Sequence, residues 1–377
     1  IVFERHAASL ARGAAQERDR VPATGAQTLH IADRRFTRRA HGWPNIVGTD
    51  PHSAFEDYPE TCHIASMTTQ NDTMNVFDRR LVRRRRDRAA PGLDGFDFLF
   101  MEGAARLCDR LEDIKRAFSS GLDLGCHGGE VAAALPPGKV DSMIQADLAP
   151  NMVTRARQRS GQPGLVCDEE ALPLGVGTLD LVMSNLSLHW VNDLPGALSQ
   201  IRMALKPDGL FLGAILGGET LRELRDALAA AEIEIEGGLS PRVSPFADVR
   251  DLGSLLQRAG FALPVVDADT VTVSYADPLR LLADLRGMGE TNAVIERRKT
   301  PLRRATLLTA MTKYMDAHAD ADERVPATFQ ILTMTAWAPA ANQQKPLKPG
   351  AATGRLADAL GATEVPLGEK ADPTGEP

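Results

Sequence analysis

No apolar run in this sequence approaches the ~20 residues that a helix needs to cross a bilayer, and no apolar core follows its first basic residues. Neither a membrane-spanning helix nor a secretory signal is expected. A basic excess is also missing: 43 Lys and Arg stand against 50 Asp and Glu, and the net charge of −7 argues against a general nucleic-acid binder. Cysteine is scarce. Cys62, Cys108, Cys126 and Cys167 form no C-x-x-C pair and have no histidines at zinc spacing, so reduced thiols fit better than a zinc module or a disulfide framework. Beyond residue 66 the histidines are His127, His189 and His318 alone, which leaves no two-His-one-carboxylate iron pattern, and no metal site is expected. What remains is an ordinary globular composition, 43% apolar and 25% charged, in 377 residues, enough for one or two domains with a sizeable core.

Residues 1–66 lack any sustained period and are expected to be a disordered extension or a misplaced start, with Met67 and Met74 as alternative starts. Their arginines also suit a transit peptide, against which Glu4, Glu17, Asp19, Glu56 and Asp57 count. Two N-terminal helices are expected over 74–118. The first, within 75–90, carries seven arginines between Arg79 and Arg88, with Phe77, Leu81 and Val82 roughly a turn apart. A solvated helical face is the favoured reading, and a lid or docking helix for an acidic partner the alternative.

An α/β domain is expected over 119–340. Strands at 121–125, 141–147, 165–168, 179–185 and 210–216 alternate with helices, and Lys206-Pro207-Asp208-Gly209 marks a turn before the last of these. Such alternation implies a parallel sheet wound on both faces, and an apolar run like LFLGAIL is what a doubly covered strand requires. Two β-rich runs follow at 261–266 and 270–275, then a helical insertion at 277–318, a last strand at 328–337, and a flexible tail over 341–377.

The sharpest chemical signal is LDLGCHGG, residues 122–129. A strand ending in glycines and entering a helix brings bare backbone N–H groups close to a ligand at the carboxyl ends of the strands. The spacing suits neither a dinucleotide G-x-G-x-x-G nor a phosphate-binding loop with its Gly-Lys-Ser/Thr ending. Asp123 is well placed for an amine or water. Asp147, ending the next strand, can accept both hydroxyls of a ribose, and Asp168, ending the one after, can accept from an adenine amino group. Each alone reads equally as a helix cap or loop carboxylate; three strand-end acids after a glycine turn favour a nucleoside site.

The ordered set LDLGCHGG, MIQADLAPNM, CDEEALPL, LDLVMSNLSLHWVNDL and ALKPDGLFL resembles the class I S-adenosylmethionine (SAM)-dependent methyltransferases over residues 119–216. The resemblance implies an α/β fold, a seven-stranded doubly wound Rossmann-like sheet with a helical cap, and SAM as cofactor. It implies that Asp123, Gly125 and Gly129 shape the site around the methionine part, that Asp147 meets the ribose and Asp168 the adenine, and that Ser184 and Asn185 face the methyl donor. A narrower resemblance runs from Met74 to about Gly354 through MNVFDRRLVRRRRDRAA, GAILGGETLRELR, GGLSPRVSPFADVRDLGSLLQRAGF, DLRGMGETN and VPATFQILTMTAW. These are similar to the methyltransferase-like assembly factors of respiratory complex I and their bacterial relatives. That family implies hydroxylation of an arginine in a complex I subunit rather than methyl transfer. Malonyl-acyl-carrier-protein methyltransferases are more distant relatives.

One departure stands out. His127 occupies the position where the usual motif has its next glycine, so either the imidazole points to solvent and SAM still binds, or the site is remodelled. Asn185 and His189 are the candidate catalytic residues. His189-Trp190 lines a substrate entrance with a general base, or is a packed turn. Glu219, Glu290 and Asn292 resemble positions in that narrower family, which implies that they face a cationic substrate such as an arginine; the alternative reading is surface groups. Met143, Met152 and Met183 read as core. The expected function is a SAM-binding enzyme acting on a protein, by resemblance a complex I subunit. The alternatives are a small-molecule or malonyl-acyl-carrier methyltransferase and a non-catalytic assembly scaffold. The expected location is the cytoplasm, or the mitochondrial matrix in a eukaryote, with peripheral membrane association allowed.

Overall fold

The computed structural model of the protein describes residues 2–3, 75–344, 354 and 356–363. Apart from a two-residue strand, β1 (Val2–Phe3), the expected extension 1–66 lies outside the described residues. The helix α1 (Arg79–Ala89) starts where the Asp78 carboxylate accepts the Leu81 N–H at 3.0 Å. A 3-10 turn leads into α2 (Phe98–Asp113), whose Leu99, Phe100, Ala104, Leu107 and Leu111 recur at helical spacing and are buried. Then come β2 (Phe118–Leu124), α3 (Glu130–Ala134), β3 (Val140–Asp147), α4 (Pro150–Ser160), β4 (Gly164–Val166) and β5 (Leu179–Asn185). The chain continues through α5 (Leu194–Ala204), β6 (Leu205–Leu216), α6 (Arg222–Glu236), α7 (Val249–Arg258) and β7 (Ala262–Tyr275). The helices α8 (Pro278–Met288) and α9 (Arg304–His318) are inserted before β8 (Val325–Trp337).

These strands form one sheet in the order β1-β7-β8-β6-β5-β2-β3-β4. From β2 to β6 all neighbours are parallel, whereas β8 runs antiparallel between β6 and β7. Seven strands thus form the expected doubly wound sheet, mixed rather than parallel throughout because β8 runs antiparallel, and β1 adds to its outer edge. The winding reverses between β2 and β5, which opens a crevice at their carboxyl ends. Alternation along β6 shows why both faces are covered: Leu210, Leu212, Ala214 and Leu216 pack into one apolar cluster, Phe211 and Ile215 into another.

Three boundaries differ from the sequence reading. The strand expected to begin at Leu210 already starts at Leu205, because Leu179 pairs with Leu205 and Leu181 with Leu210, so Lys206–Gly209 bulge out of a continuous strand. The two runs at 261–266 and 270–275 are one 14-residue strand, with a register shift between Ala262 and Val265. The described part of the expected flexible tail contains a short helix, α10 (Leu356–Leu360); most of the rest lies outside the described residues. Among the described residues no helix is long and apolar enough to cross a membrane.

Candidate active site

The glycine turn after β2 has the backbone its sequence requires. Gly125 (φ +73°) and Gly129 (φ +84°) lie in the left-handed region, and a Cβ at Gly125 would run into the Ser187 side chain. The N–H groups of Gly125 and Cys126 donate to the Ala146 carbonyl at 2.7 and 2.9 Å, tying the turn to β3. Asp123, one residue before the end of β2, is fully buried, and among the described residues neither carboxylate oxygen has a hydrogen-bond partner. Burial, then the charges of Glu130 and Asp147, push its acid well above the usual carboxylate range. Such an orphaned acceptor is what a missing donor would meet, and the residues present fit a ligand carrying an amine there.

Ser184 and Asn185 end β5 as expected, but both make links within the fold. Ser184 Oγ donates to the Leu124 carbonyl at 2.8 Å, and Asn185 Nδ2 to the Phe100 carbonyl at 2.8 Å, fastening α2 to the sheet. Neither residue lines the cavity described below.

The strand-end acids are gathered by α1. Arg86 is fully buried; its Nη1 lies 3.3 Å from both Asp147 Oδ2 and Glu169 Oε1, and its Nη2 donates to Ser187 Oγ at 3.0 Å. Ser187 Oγ in turn donates to Glu169 Oε1 at 2.6 Å. Arg79 pairs with Asp168 at 2.8 Å and more closely with Glu169. Burial opposes ionisation of Glu169, yet Arg79, Arg86 and the Ser187 hydroxyl outweigh it and hold its carboxyl at about 2. Two sequence readings are therefore corrected. The α1 arginines are not only a solvated face, because Val82, Arg86 and Ala89 share one buried face over the acids. The buried acid after β4 is Glu169, while the Asp168 side chain stays 34% exposed. Arg79, Arg86, Glu169 and Ser187 went unread, although the four- and three-residue steps from Val82 to Arg86 to Ala89 already put Arg86 on an apolar face.

His127 does not point to solvent. It is fully buried at φ +46°, a conformation rare for a residue with a side chain. Its N–H donates to Asp147 Oδ2 at 3.2 Å, its Nε2 meets the Asn185 and Leu186 carbonyls at 3.0 and 3.1 Å, and its ring stacks on Phe100 with centroids 4.0 Å apart. With two carbonyls at Nε2 the proton belongs on that nitrogen. Burial, then the charge of Arg86, lowers the imidazole to about 4, so it is neutral. The turn is thus remodelled around His127, with its strain held by hydrogen bonds to β3 and to the end of β5 and by the stack on Phe100 of α2.

A cavity of about 610 Å³ opens beside this cluster, walled by α1, α6, α8 and the segments around Pro241–Phe246 and Glu290–Lys299. Glu290 lines it and is 9% exposed. Its Oε2 accepts from Trp190 Nε1 at 2.7 Å and meets His189 Nε2 at 3.1 Å, whereas its buried Oε1 has no hydrogen-bond partner among the described residues. Burial resists its ionisation, but the bond from His189 and the charge of Arg86 outweigh it, and the carboxyl lies below its ordinary range. Glu290 is therefore no surface carboxylate. His189 stands behind it and is not part of the cavity wall, so the geometry makes it a support for Glu290. Asn292 lines the cavity too, its Nδ2 bonded to the Pro241 carbonyl at 2.8 Å. Glu219 is exposed and pairs with Arg222 at 3.1 Å, away from that wall.

A glycine turn and strand-end acids at the switch point of a doubly wound sheet define a methyltransferase-type α/β domain, and residues 122–213 match the family described as "Methyltransferase domain". Over 289 residues the chain is 46% identical to "Arginine-hydroxylase NDUFAF5, mitochondrial" of Danio rerio, covering 76% of this chain and 89% of that one. The protein of the same name from Homo sapiens is 45% identical over 289 residues, 76% of this chain and 84% of that one. A "Malonyl-[acyl-carrier protein] O-methyltransferase" of Halorhodospira halophila is 38% identical over 266 residues, 69% of this chain and 88% of its own length. The chain belongs to the NDUFAF5 arginine-hydroxylase family. Both names are those of enzymes, which sets the scaffold reading aside.

Proposed function

We propose that the chain is a SAM-binding enzyme that modifies an arginine of a protein substrate, by family a subunit of respiratory complex I, and that it works in the mitochondrial matrix or, in a bacterium, the cytoplasm. Asp123, Gly125, Gly129 and Asp147 are the residues that would hold SAM, with Asp168 at the rim and Ser184 and Asn185 bracing the strand ends. When bound, SAM supplies an electrophilic methyl group. The reading of the substrate rests on Glu290: an ionised, buried carboxylate with one free oxygen, beside the indole of Trp190, in a cavity. A guanidinium is the side chain that suits such a partner, since its planar fork bonds carboxylates and stacks on aromatic faces. The His189 and Trp190 bonds orient Glu290, which orients the arginine. Hydroxylation replaces a C–H hydrogen by hydroxyl, consuming dioxygen, two electrons and two protons, with the second oxygen leaving as water. Oxidant and reductant come from outside, and the chain contributes binding, orientation and exclusion of water.

The test is mass spectrometry of complex I subunits from cells lacking the protein and complemented with wild type, Asp147→Ala or Glu290→Gln. Wild type restores one added oxygen on an arginine, and both variants lose it. A second reading, methylation of a malonyl-type carboxylate, draws on the Halorhodospira relative and on the arginines of the cavity wall. It predicts an added methylene on an acyl-carrier substrate and no oxygen on any arginine.

A further inference from the structure

The charged residues lining the cavity are five arginines, one lysine and a single acid, Glu290. Two of the arginines are neutralised: Arg242 pairs with Glu232 at 2.6 Å, and Arg298 pairs with Glu236. Arg85 is not. Its Nη1 donates to the carbonyls of Thr291 and Asn292, each at 2.6 Å, and among the described residues no carboxylate forms an ion pair with it. Nη2 and Nε make no hydrogen bond among the described residues, so much of the planar fork is open. Arg297, on the same wall, donates to the Val294 carbonyl at 2.8 Å and has Asp78 only at 3.7 Å. Burial, then the charges of Arg297 and Arg88, lower Arg85 to about 10, and the more distant carboxylates of Asp78 and Glu290 offset this only in part.

We propose that Arg85 and Arg297 form a carboxylate subsite beside Glu290, so that the protein segment accepted here presents an aspartate or glutamate close in sequence to its target arginine. The proposal rests on the arginine reading given above. The wall then offers one acceptor for a cation and two donors for an anion. An acidic-flanked arginine satisfies both, whereas a lysine-flanked one meets like charge.

Binding of synthetic peptides to the full chain tests this by calorimetry. The probes are a glycine-spaced peptide with a central arginine and flanking aspartates, its asparagine counterpart and its lysine counterpart. The aspartate peptide binds about tenfold more tightly than the asparagine peptide. Arg85→Gln and Arg297→Gln remove that preference, and Arg85→Glu turns it toward the lysine peptide, an inversion that misfolding cannot produce. Equal affinity for all three peptides, each weakened by Glu290→Gln, overturns the carboxylate subsite and leaves the arginine reading standing. Binding that ignores both the central arginine and Glu290→Gln overturns the arginine reading and the subsite with it.

Discussion

Asp123 is the residue whose surroundings ask most plainly for a ligand. Its buried carboxyl, with two oxygens that have no partner among the described residues, is pushed well above the usual carboxylate range by burial and by the charges of Glu130 and Asp147. An arriving amine would favour the ionised form and release the proton. SAM binding is therefore expected to pull Asp123 back toward the ordinary carboxylate range, and over the pH range in which that carboxyl titrates this is visible as a binding enthalpy that varies with the ionisation enthalpy of the buffer. Asp123→Asn abolishes that dependence, weakens SAM by at least about tenfold, and leaves the thermal stability of the ligand-free protein unchanged or higher. Equal buffer dependence in wild type and variant would sink the assignment. His127 belongs to the same scale. A glycine would relieve its φ of +46°, but the imidazole supplies two carbonyl contacts and the stack on Phe100, so the strained residue is held by what it binds.

At the scale of elements, α1 is tied to the sheet by charge as much as by apolar packing. Removing the guanidinium of Arg86 leaves Asp147 without its ion-pair partner and Glu169 with Arg79 alone. Arg86→Met is expected to destabilise the fold by about 3–5 kcal/mol. Adding Glu169→Gln recovers part of that loss, so a double-mutant cycle by urea unfolding gives a coupling of about 1–3 kcal/mol; strictly additive changes would contradict the ion cluster. The strands and helices of the sheet were legible because 2.0- and 3.6-residue periods and glycine or proline stops are local. The acids Asp123 and Asp147 were legible because strand ends in this topology converge. What α1 does was not legible, because seven arginines in ten residues resemble a solvated face until tertiary packing selects Arg79 and Arg86. The bulge at Lys206–Gly209 was hidden for a related reason: a strong turn signal can interrupt a ladder without ending the strand. Glu290 became distinct from Glu219 only once α8 had brought its following loop against His189 and Trp190.

At the scale of the whole molecule, the buried ionisable groups around this crevice set how stability responds to pH. Glu169 falls to about 2 from an ordinary 4.5, so its ionised form stabilises the fold fully above pH 4.5 and that contribution is lost as pH falls toward 2. His127 falls to about 4 from 6.5; the unfolded chain takes up a proton below pH 6.5 that the folded one refuses, so stability drops as pH falls from 6.5 to 4. Glu130 moves the other way. Burial, only partly offset by Arg159, raises it to about 7, so the fold keeps its proton longer than the unfolded chain and loses stability as pH rises from 4.5 to 7. Between pH 4.5 and 6.5, Glu130 and His127 therefore oppose each other, each at up to about 1.4 kcal/mol per pH unit, and Asp123 adds to the Glu130 side. Wild-type stability is expected to peak on the acid side of neutrality, near pH 4.5–5 on these shifts, and to fall steeply below as Glu169 is protonated. Glu130→Gln removes one opposing slope and flattens the fall between pH 4.5 and 6.5, where Asp123 is left to oppose His127. Urea unfolding of both proteins from pH 3 to 8 reads this directly. A wild-type maximum above pH 7, or a fall between pH 4.5 and 6.5 that Glu130→Gln leaves equally steep, would mean that these buried groups do not govern the acid stability of the fold.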